Sequence, residues 1–280
     1  MFRDVISVLP AQATTDGAGV AIQRVALMGN NSVDPLLMVD ELRSPYRDDF
    51  AAGFPAHPHR GMQTLTYMKQ GGIAHEDSLG NRGEIRDGGV QWMSAGSGVI
   101  HSEMPTIDTT GLHGFQCWFN LPAKDKMSPP RYRDLSRDAL PVIGVAGARL
   151  TAIAGDWELL GEQVSGPLTE LAPIAQMADL TLEPDHSIEI PVDNAANMAA
   201  FVYDGSLEFE NRARVAKSLV LTSAGVRWRL TASSEGASCL LFAGQPLREP
   251  VVQYGPFVMN TREEIETALN EYRLGIFLKH

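Results

Sequence analysis

Short apolar runs separated by turn residues recur along most of the chain. Val5–Leu9, Val20–Leu27 and Leu36–Val39 are the first three, and clusters of Gly, Asn and Asp lie between them. Runs of this length bounded by turn residues are typical of β-strands. Regular short strands punctuated by glycine, most clearly at 71–103, indicate an antiparallel barrel or jelly roll. The pattern therefore predicts an all-β protein.

Residues 54–69 are predicted to begin as a loop and to become a strand. Pro55 and Pro58 exclude a regular helix and disfavour a central position in a sheet. From Met62 onward, β-forming residues follow one another in a strand-like pattern. Gly61 lies between the two parts and can break their register.

Residues 122–148 differ from the rest because prolines are mixed with charged residues there. This composition is typical of linkers, so a domain boundary is expected near 130–148. The second half repeats the all-β pattern, with candidate strands at Arg149–Ala154, Met177–Leu182, Ser187–Ile190, Met198–Val202, Ser206–Phe209, Val226–Leu230 and Ala237–Phe242. Its strand spacing resembles that of the first half and indicates an internal duplication. We therefore expect domains at 1–135 and 136–280.

The C-terminal region is predicted to form an α-helix. Thr261 and Glu264 fit the N-cap and third positions of a capping box, and Gly275 suits the helix end. The apolar residues between them share one helical face: Ile265, Ala268, Leu269 and Tyr272. This face is expected to pack on the outside of a barrel.

Composition and charge restrict the class of protein. The chain has 280 residues, of which 44% are hydrophobic, and can bury a substantial core. Its net charge of −11 opposes binding to phosphate backbones, so direct nucleic-acid binding is not expected. Cys117 and Cys239 lie in apolar runs, which indicates buried thiols in a reducing compartment. With neither a signal-peptide pattern nor an apolar stretch of membrane-spanning length, we expect a soluble cytoplasmic protein. We also expect it to be a monomer.

Two pairs of metal-ligand residues stand out, each separated by one residue. They are His57 with His59, and His101 with Glu103. Because residues i and i+2 of a strand share a face, two strands could bring three imidazoles and one carboxylate to one point. The alternative is that the first two histidines are polar loop residues and Glu103 is a surface carboxylate. The second half of the sequence has no comparable pair, since His186 is its one histidine besides His280.

Three imidazoles and one carboxylate suit Fe(II), Mn(II), Co(II), Ni(II), Cu(II) or Zn(II). Four protein ligands leave one or two positions open on a five- or six-coordinate metal, where O₂ and a chelating substrate can bind together. The absence of cysteine ligands argues against a closed structural zinc site.

Other candidate chemistries are weaker. The run Gly96-Ser97-Gly98 lacks the strand–turn–helix context of a nucleophile elbow, and Cys117 has no evident activating partner. His75, His113 and His186 are each expected to be structural when they are considered singly.

Five blocks of sequence are distinctive when they are taken together. They are HPHRGMQTLTYMKQGG (57–72), HEDSLGNRGEI (75–85), GGVQWMSAGSGVIHSE (88–103), WFNLPAKDKMSPPRY (118–132) and PLREPVVQYGPFVMNT (246–261). These blocks resemble the pirin family, a branch of the cupin superfamily, and they are spread over nearly the whole chain.

The resemblance implies two tandem cupin (jelly-roll) β-barrels, a bicupin, with a metal in the N-terminal barrel alone. The residues that match the pirin ligands are His57, His59, His101 and Glu103, and the usual metal is iron, expected here as Fe(II). One position departs from the family: pirins commonly have Glu four residues after the second histidine, where this chain has Gln63. The four ligands remain, but a negative charge near the site is lost.

Two functions are compatible with this resemblance. Several pirins resemble quercetin 2,3-dioxygenases, so the chain is expected to be an oxidoreductase that opens a flavonol-like ring with O₂. Glu103 is then the catalytic residue that accepts the substrate hydroxyl proton, and His75 could support the site from behind. Eukaryotic pirins instead resemble redox-sensitive transcriptional co-regulators, so the alternative is an iron-dependent regulator that acts through a protein partner.

Overall fold

The computed structural model describes residues 1–171, 175–209 and 215–279, so His280 lies outside the described residues. The described chain is built almost entirely from strands, with one α-helix near its end, which confirms the predicted all-β class. Among these residues, no helix has the length and apolar character that crossing a membrane requires.

The described strands follow one another closely along the chain. In chain order they are β1 (Val5–Pro10), β2 (Gln12–Asp16), β3 (Val20–Ala26), β4 (Leu36–Ser44), β5 (Phe54–His59), β6 (Met62–Gln70), β7 (Ile73–Asp77), β8 (Arg82–Ile85), β9 (Val90–Ser94), β10 (Val99–Pro105), β11 (Leu112–Asn120), β12 (Arg131–Leu135), β13 (Val142–Val145), β14 (Ala148–Leu159), β15 (Glu162–Pro167), β16 (Gln176–Leu182), β17 (Ser187–Pro191), β18 (Asn197–Glu208), β19 (Ser218–Thr222), β20 (Arg227–Gly244), β21 (Val252–Tyr254) and β22 (Phe257–Met259). The helix is α1 (Arg262–Arg273), and short 3₁₀ turns lie at Arg47–Asp49, Ala123–Asp125 and Arg137–Ala139.

Two compact units share these elements. Unit N consists of Gln12–Gly29, Leu37–Arg137 and Arg248–His280, and unit C consists of Met1–Ala11, Asn30–Leu36 and Asp138–Leu247. Both units are therefore discontinuous, which differs from the continuous ranges 1–135 and 136–280 expected for the domains. The physical reason is strand pairing and packing: β1 pairs with β19 in unit C, and α1 packs against the β21-β22 hairpin in unit N.

Unit N contains one seven-stranded sheet, one four-stranded sheet and the β21-β22 hairpin. The order of the larger sheet is β12-β9-β6-β11-β4-β3-β2, and that of the smaller is β5-β10-β7-β8. Strand β6 is buried along most of its length, from Met62 to Met68, because both of its faces are covered. The smaller sheet carries both pairs of ligand-type residues on adjacent antiparallel strands, β5 and β10.

Strand β5 corrects the expected loop at the start of 54–69. It lies at the edge of the smaller sheet and pairs with β10. An edge strand tolerates Pro55 and Pro58 because one side of its backbone has no partner strand. Gly61 follows with φ of +77°, after which β6 continues in the larger sheet. A Cβ at Gly61 would lie 2.1 Å from the carbonyl oxygen of Val258, so glycine permits this close approach.

Unit C is a nine-stranded antiparallel sheet. Its order is β1-β19-β18-β20-β16-β14-β13, with β15 paired to β14 and β17 paired to β20. The enclosed side chains form one apolar core that includes Leu150, Leu180, Trp228 and Leu241. Burial of such a core is the main favourable term in the folding of the unit.

Two long strands of unit C replace four predicted short ones. Met198–Val202 and Ser206–Phe209 were expected to be separate strands, but β18 runs through most of both, and β20 likewise spans the two strands expected at 226–242. Gly205 and Gly236 are the cause, with φ of +59° and +76°. They bend the strands without ending them, because the strand pairing shifts register there and then resumes.

Helix α1 confirms the predicted capping box. The Thr261 hydroxyl accepts the backbone N–H of Glu264 at 3.2 Å, and the Glu264 carboxylate accepts that of Thr261 at 2.9 Å. Ile265 and Ala268 are buried and Leu269 is partly buried beside them, whereas Tyr272, predicted on the same face, is exposed. Gly275 has φ of +70° just beyond the helix, as expected for its end.

A buried arginine joins the C-terminal segment to the rest of unit N. Arg60 is 1% exposed, and its guanidinium donates to the carbonyl oxygens of Ser97 at 2.7 Å and Phe277 at 2.8 Å. It also lies 2.7 Å from the carboxylate of Glu271 in α1. The C-terminal segment is therefore held by contacts between residues more than 200 positions apart in sequence.

Candidate metal centre

The pairing of β5 with β10 brings the histidines together. His57 is the direct cross-strand partner of His101, and His59 is that of Val99. The alternation of side chains along β5 gives His57 and His59 the same face of the sheet. A register irregularity follows His101, so that Glu103 is paired with Phe54. The register thus places three imidazoles side by side at the edge of the smaller sheet.

The three rings converge closely. Their centroids are 4.8 Å apart for His57 and His59, 4.4 Å for His57 and His101, and 5.0 Å for His59 and His101. One ring nitrogen from each histidine lies within 4.8 Å of the other two. This is the arrangement that the spacing of the two pairs predicted for the histidines.

The protonation of His57 and His59 follows from their outer nitrogens. Nδ1 of His57 lies 2.8 Å from the carbonyl oxygen of Pro55, and Nδ1 of His59 lies 3.2 Å from that of Pro256. A carbonyl only accepts, so each Nδ1 carries the proton and each neutral ring has a lone pair on Nε2. The two Nε2 atoms are 3.1 Å apart. Two lone pairs at this distance repel each other, and a cation that accepts both would relieve the repulsion.

Burial keeps two of these imidazoles neutral. His59 is 3% exposed and His101 is 2% exposed. Burial lowers the pKa of His59 to about 3, with the neighbouring His57 adding to the effect. The pKa of His101 is also lowered well below its ordinary value, first by burial and then by the other histidines. Neutral imidazole is the form that binds a transition metal.

His101 has an open ligand position. Its Nε2 is buried and has no hydrogen-bond partner among the described residues. A buried polar atom without a partner costs about 1–3 kcal/mol, so such groups call for an explanation. A divalent metal bound by the three Nε2 atoms provides one, and the donor set suits a borderline transition-metal ion. The residues therefore fit the metal that their pattern predicts.

Glu103 is buried beside His101 but is oriented by polar neighbours. Its two carboxylate oxygens accept hydrogen bonds from the hydroxyl of Thr66 at 2.9 Å and from the side-chain amide of Gln116 at 2.8 Å. Its carboxylate forms a second close group, with His75 and His101, that overlaps the three-histidine group at His101. The structure thus brings Glu103 to the site, while its grouping with all three histidines at once stays a prediction.

Sequence reasoning missed several groups that support the site. Thr66 and Gln116 are cross-strand partners in β6 and β11, and only the register of that pair reveals that both reach Glu103. Pro256 orients His59 from a position 197 residues away along the chain. His75 was expected as a possible supporting residue, and the pairing of β7 with β10 brings it into contact with His101.

A cavity of about 710 Å³ opens beside the ligands and lies wholly within unit N. His57, His59 and Glu103 line it. Its apolar lining includes Met28, Met38, Leu42, Phe54 and Trp118. The Trp118 ring meets that of His59 edge-on at 5.2 Å. A flat apolar molecule with a polar edge suits such a lining.

The polar part of the cavity wall is an ion-pair network. The Arg24 guanidinium donates to Asp40 through two nitrogens at 2.8 and 2.6 Å, and also to Asp16. Burial raises the pKa of Asp40, although its bonds to Arg24 oppose that change. Because two carboxylates already engage Arg24, this wall offers no free cation for an anionic substrate among these three residues.

Unit C has no corresponding site among the described residues. Both groups of three possible ligands lie in unit N. His186, the described histidine of unit C, joins neither group. The candidate ligand groups found among the described residues thus belong to unit N, and the absence of a metal from unit C stays a prediction.

Comparisons with known proteins agree with this architecture. Residues 19–119 match the family model described as Pirin, and residues 177–278 match that of the Pirin C-terminal cupin domain. A Vibrio cholerae protein named "Putative quercetin 2,3-dioxygenase" is 44% identical over 98% of both chains. A Pirin-like protein of Caulobacter vibrioides is 39% identical over 98% of this chain and 99% of its own.

Structural comparison gives the same result. A crystal structure of quercetin 2,3-dioxygenase from Acinetobacter baumannii matches with a TM-score of 0.89 and 30% sequence identity, and the match covers 99% of both chains. Together with the family matches, this confirms the bicupin all-β fold that the five sequence blocks implied. The chain belongs to the pirin family.

Proposed function

We propose that this protein is a metal-dependent dioxygenase that opens the ring of a flavonol-like substrate with O₂. The observation that carries the proposal is the convergence of three imidazole rings, of which His57 and His59 line a largely apolar cavity. The names of the Vibrio cholerae relative and of the Acinetobacter baumannii structure support the same reaction class.

The proposed ligands are His57, His59, His101 and Glu103. Fe(II) is the proposed metal, while Mn(II), Co(II), Ni(II), Cu(II) and Zn(II) also suit this donor set. The bound metal would supply Lewis-acid and redox chemistry for reaction with O₂. The protein would supply position, because each outer nitrogen of His57 and His59 is already held by a backbone carbonyl.

The cavity favours a planar, largely apolar substrate. The Phe54 and Trp118 side chains line it next to the histidines and can pack against aromatic rings. The acidic residues Asp16 and Asp40 would disfavour a substrate that carries carboxylate or phosphate groups. A polyphenol with adjacent oxygens is consistent with both features.

Glu103 is the proposed proton acceptor for the substrate hydroxyl. Its carboxylate lines the cavity and is held by Thr66 and Gln116. Those two hydrogen bonds orient the carboxylate and can persist when it takes up a proton on a free lone pair. Removing either partner should therefore reduce turnover more than it reduces metal content.

Oxygen uptake with quercetin tests the proposal. Protein loaded with Fe(II) should consume O₂ when quercetin is added, and His101→Ala should reduce uptake to background. His113→Ala is the matched control, because His113 is a buried histidine of the same unit that bonds to Glu41 and joins neither ligand group. If the metal-loaded wild type consumes no O₂ with any flavonol, the dioxygenase proposal is wrong and the regulatory alternative gains support.

A further inference from the structure

His101 differs from the other two histidines in what holds its outer nitrogen. His57 and His59 both meet backbone carbonyls, whereas Nδ1 of His101 lies 3.4 Å from Nδ1 of His75. An imidazole nitrogen can donate or accept, so this contact alone leaves the position of the proton open. The surroundings of His75 resolve it.

His75 is held in one orientation. Its side chain is fully buried, and its ring stacks on that of Tyr132 with centroids 4.6 Å apart and planes 27° apart. Its Nε2 lies 3.3 Å from a carboxylate oxygen of Asp77. In β7, Asp77 is the cross-strand partner of His101, and His75 is that of Glu103, so the three side chains come from two paired strands.

Asp77 is fixed as an acceptor by the turn that follows β7. Its Oδ1 accepts the backbone N–H groups of Leu79 at 2.9 Å and Asn81 at 3.0 Å. Its Oδ2 accepts the side-chain amide of Asn81 at 2.8 Å. Three donors converge on this buried carboxylate in addition to His75, so both of its oxygens act as acceptors.

From this geometry we infer that Asp77 and His75 form a hydrogen-bonded relay that fixes the tautomer of His101. Asp77 accepts, so a His75 ring with a single proton carries it on Nε2 and presents a lone pair on Nδ1. His101 then donates from Nδ1 to His75, which leaves its Nε2 unprotonated. That is the same buried nitrogen that has no hydrogen-bond partner among the described residues.

The relay makes His75 and Asp77 positioning residues for a metal ligand. This inference rests on the proposed metal centre for its purpose, but the tautomer itself is a property of the protein alone. Partners behind a ligating histidine fix its ring and raise its basicity, and their removal typically weakens metal binding about 10–100-fold. A carbonyl can only accept a hydrogen bond. Nδ1 of His75, in contrast, can be changed from acceptor to donor by a single substitution at Asp77.

Asp77→Asn provides that reversal. The amide oxygen can still accept from the turn, but the new NH₂ group would face Nε2 of His75 and donate to it. His75 would then carry its proton on Nδ1, and His101 would have to accept there and protonate its Nε2. Zn(II) affinity should fall about 10–100-fold.

Two substitutions of His75 separate the relay from packing. His75→Leu removes the acceptor and should weaken Zn(II) binding by a similar factor. His75→Gln restores an acceptor for His101 and a donor for Asp77, so it should recover most of the lost affinity. His113→Gln, which removes another buried histidine–carboxylate contact in unit N, should change Zn(II) affinity by less than about twofold.

Long-range ¹H–¹⁵N spectra of the imidazole rings measure the tautomers in the metal-free protein. The relay predicts protonation of His101 on Nδ1 and of His75 on Nε2, with both reversed in Asp77→Asn. Protonation of His101 on Nε2 in the wild type would overturn the inference, as would unchanged Zn(II) affinity in both Asp77→Asn and His75→Leu. Because neither readout uses O₂ or a flavonol, a protein that shows the relay but lacks turnover would contradict the proposed activity alone.

Discussion

Unit N and unit C are both antiparallel β structures of one bicupin chain, yet they bury different side chains. Unit N buries the ionisable side chains of His59, His101 and Glu103, among others. In the part of unit C that the structure describes, the buried Asp, Glu, His, Lys or Arg side chains are Arg3 and Asp179. Unit C instead has one apolar core.

This difference has an energetic meaning. A buried polar group without a partner costs about 1–3 kcal/mol, whereas burial of a large apolar side chain stabilises by about 1.5–3 kcal/mol. In unit N, the buried Nε2 of His101 has no partner among the described residues and incurs this cost. The buried carboxylate of Glu103 is instead stabilised by hydrogen bonds. Unit N thus holds the candidate metal centre, whereas the described core of unit C is apolar. Four experiments test this difference.

The largest expected effect comes from Arg60, which joins two segments of unit N. Arg60→Ala would leave two buried carbonyl oxygens without their donor and Glu271 with Lys279 as its remaining ion-pair partner, and the free energy of unfolding of unit N should fall by about 3–5 kcal/mol. Glu271 is partly exposed, so the lower end is expected. Calorimetry measures the change, with the exposed Arg229→Ala of unit C as the control that should leave unfolding unchanged. Equal effects of the two substitutions would contradict the role given to Arg60.

A core substitution in unit C should separate stability from metal binding. Leu241 is fully buried in the apolar core, so Leu241→Ala should destabilise unit C by about 3 kcal/mol. Metal affinity, measured by titration of the folded variant, should stay within about twofold of wild type. A large loss of affinity at temperatures where the variant is folded would show that unit C takes part in the site.

Lowering the pH should destabilise metal-free unit N before it destabilises unit C. The folded-state pKa values of His59 and His101 lie below those of the unfolded chain, so the unfolded state binds more protons. Stability is therefore full above about pH 6.5 and falls as the pH is lowered toward 3. At pH 5 the loss from His59 should be about 2 kcal/mol, and His101 should add to it.

Amide hydrogen exchange locates this acid effect, because peptides of the two units are read separately. Protection in unit N should fall between pH 7 and 5 once the intrinsic exchange rate is corrected for pH. The dependence of unit N protection on pH should be weaker in His59→Gln, which has no imidazole ring at position 59. Equal acid sensitivity of both units would argue against the buried histidines as its cause.

The smallest expected effect concerns Gln63, where pirins commonly have glutamate. Gln63 is buried in β6, and its Oε1 has no hydrogen-bond partner among the described residues. Gln63→Glu would restore the negative charge that pirins commonly have at this position, and we expect it to lower the Fe(III)/Fe(II) potential and to change metal affinity by about tenfold or less. Voltammetry of the iron-loaded variant measures the shift, and an unchanged potential would show that position 63 does not influence the site.

Much of this architecture could be predicted from local sequence. The capping box of α1 depends on residues three positions apart, and the two ligand pairs depend on i, i+2 spacing, so short patterns were sufficient. Turn glycines were less informative, because Gly205 and Gly236 look like strand ends in sequence. In the folded chain their positive φ values produce bends inside β18 and β20.

The parts that sequence could not provide depend on distant contacts. Pro256 holds His59, and Phe277 holds Arg60, across about 200 residues, which no local pattern reports. The pairing of His75 with His101 requires the register of β7 against β10. The candidate ligands could therefore be proposed from sequence, while the groups that orient them were visible only in the fold.

The central claim is that unit N binds one metal ion through its converging histidines, and metal analysis tests it most directly. Wild-type protein treated with Fe(II) and freed of excess should contain about one iron per chain, and His101→Ala should contain almost none. The control His113→Ala should match the wild type. Uptake below about 0.2 metal per wild-type chain, with Fe(II) and with the other divalent ions, would contradict the account.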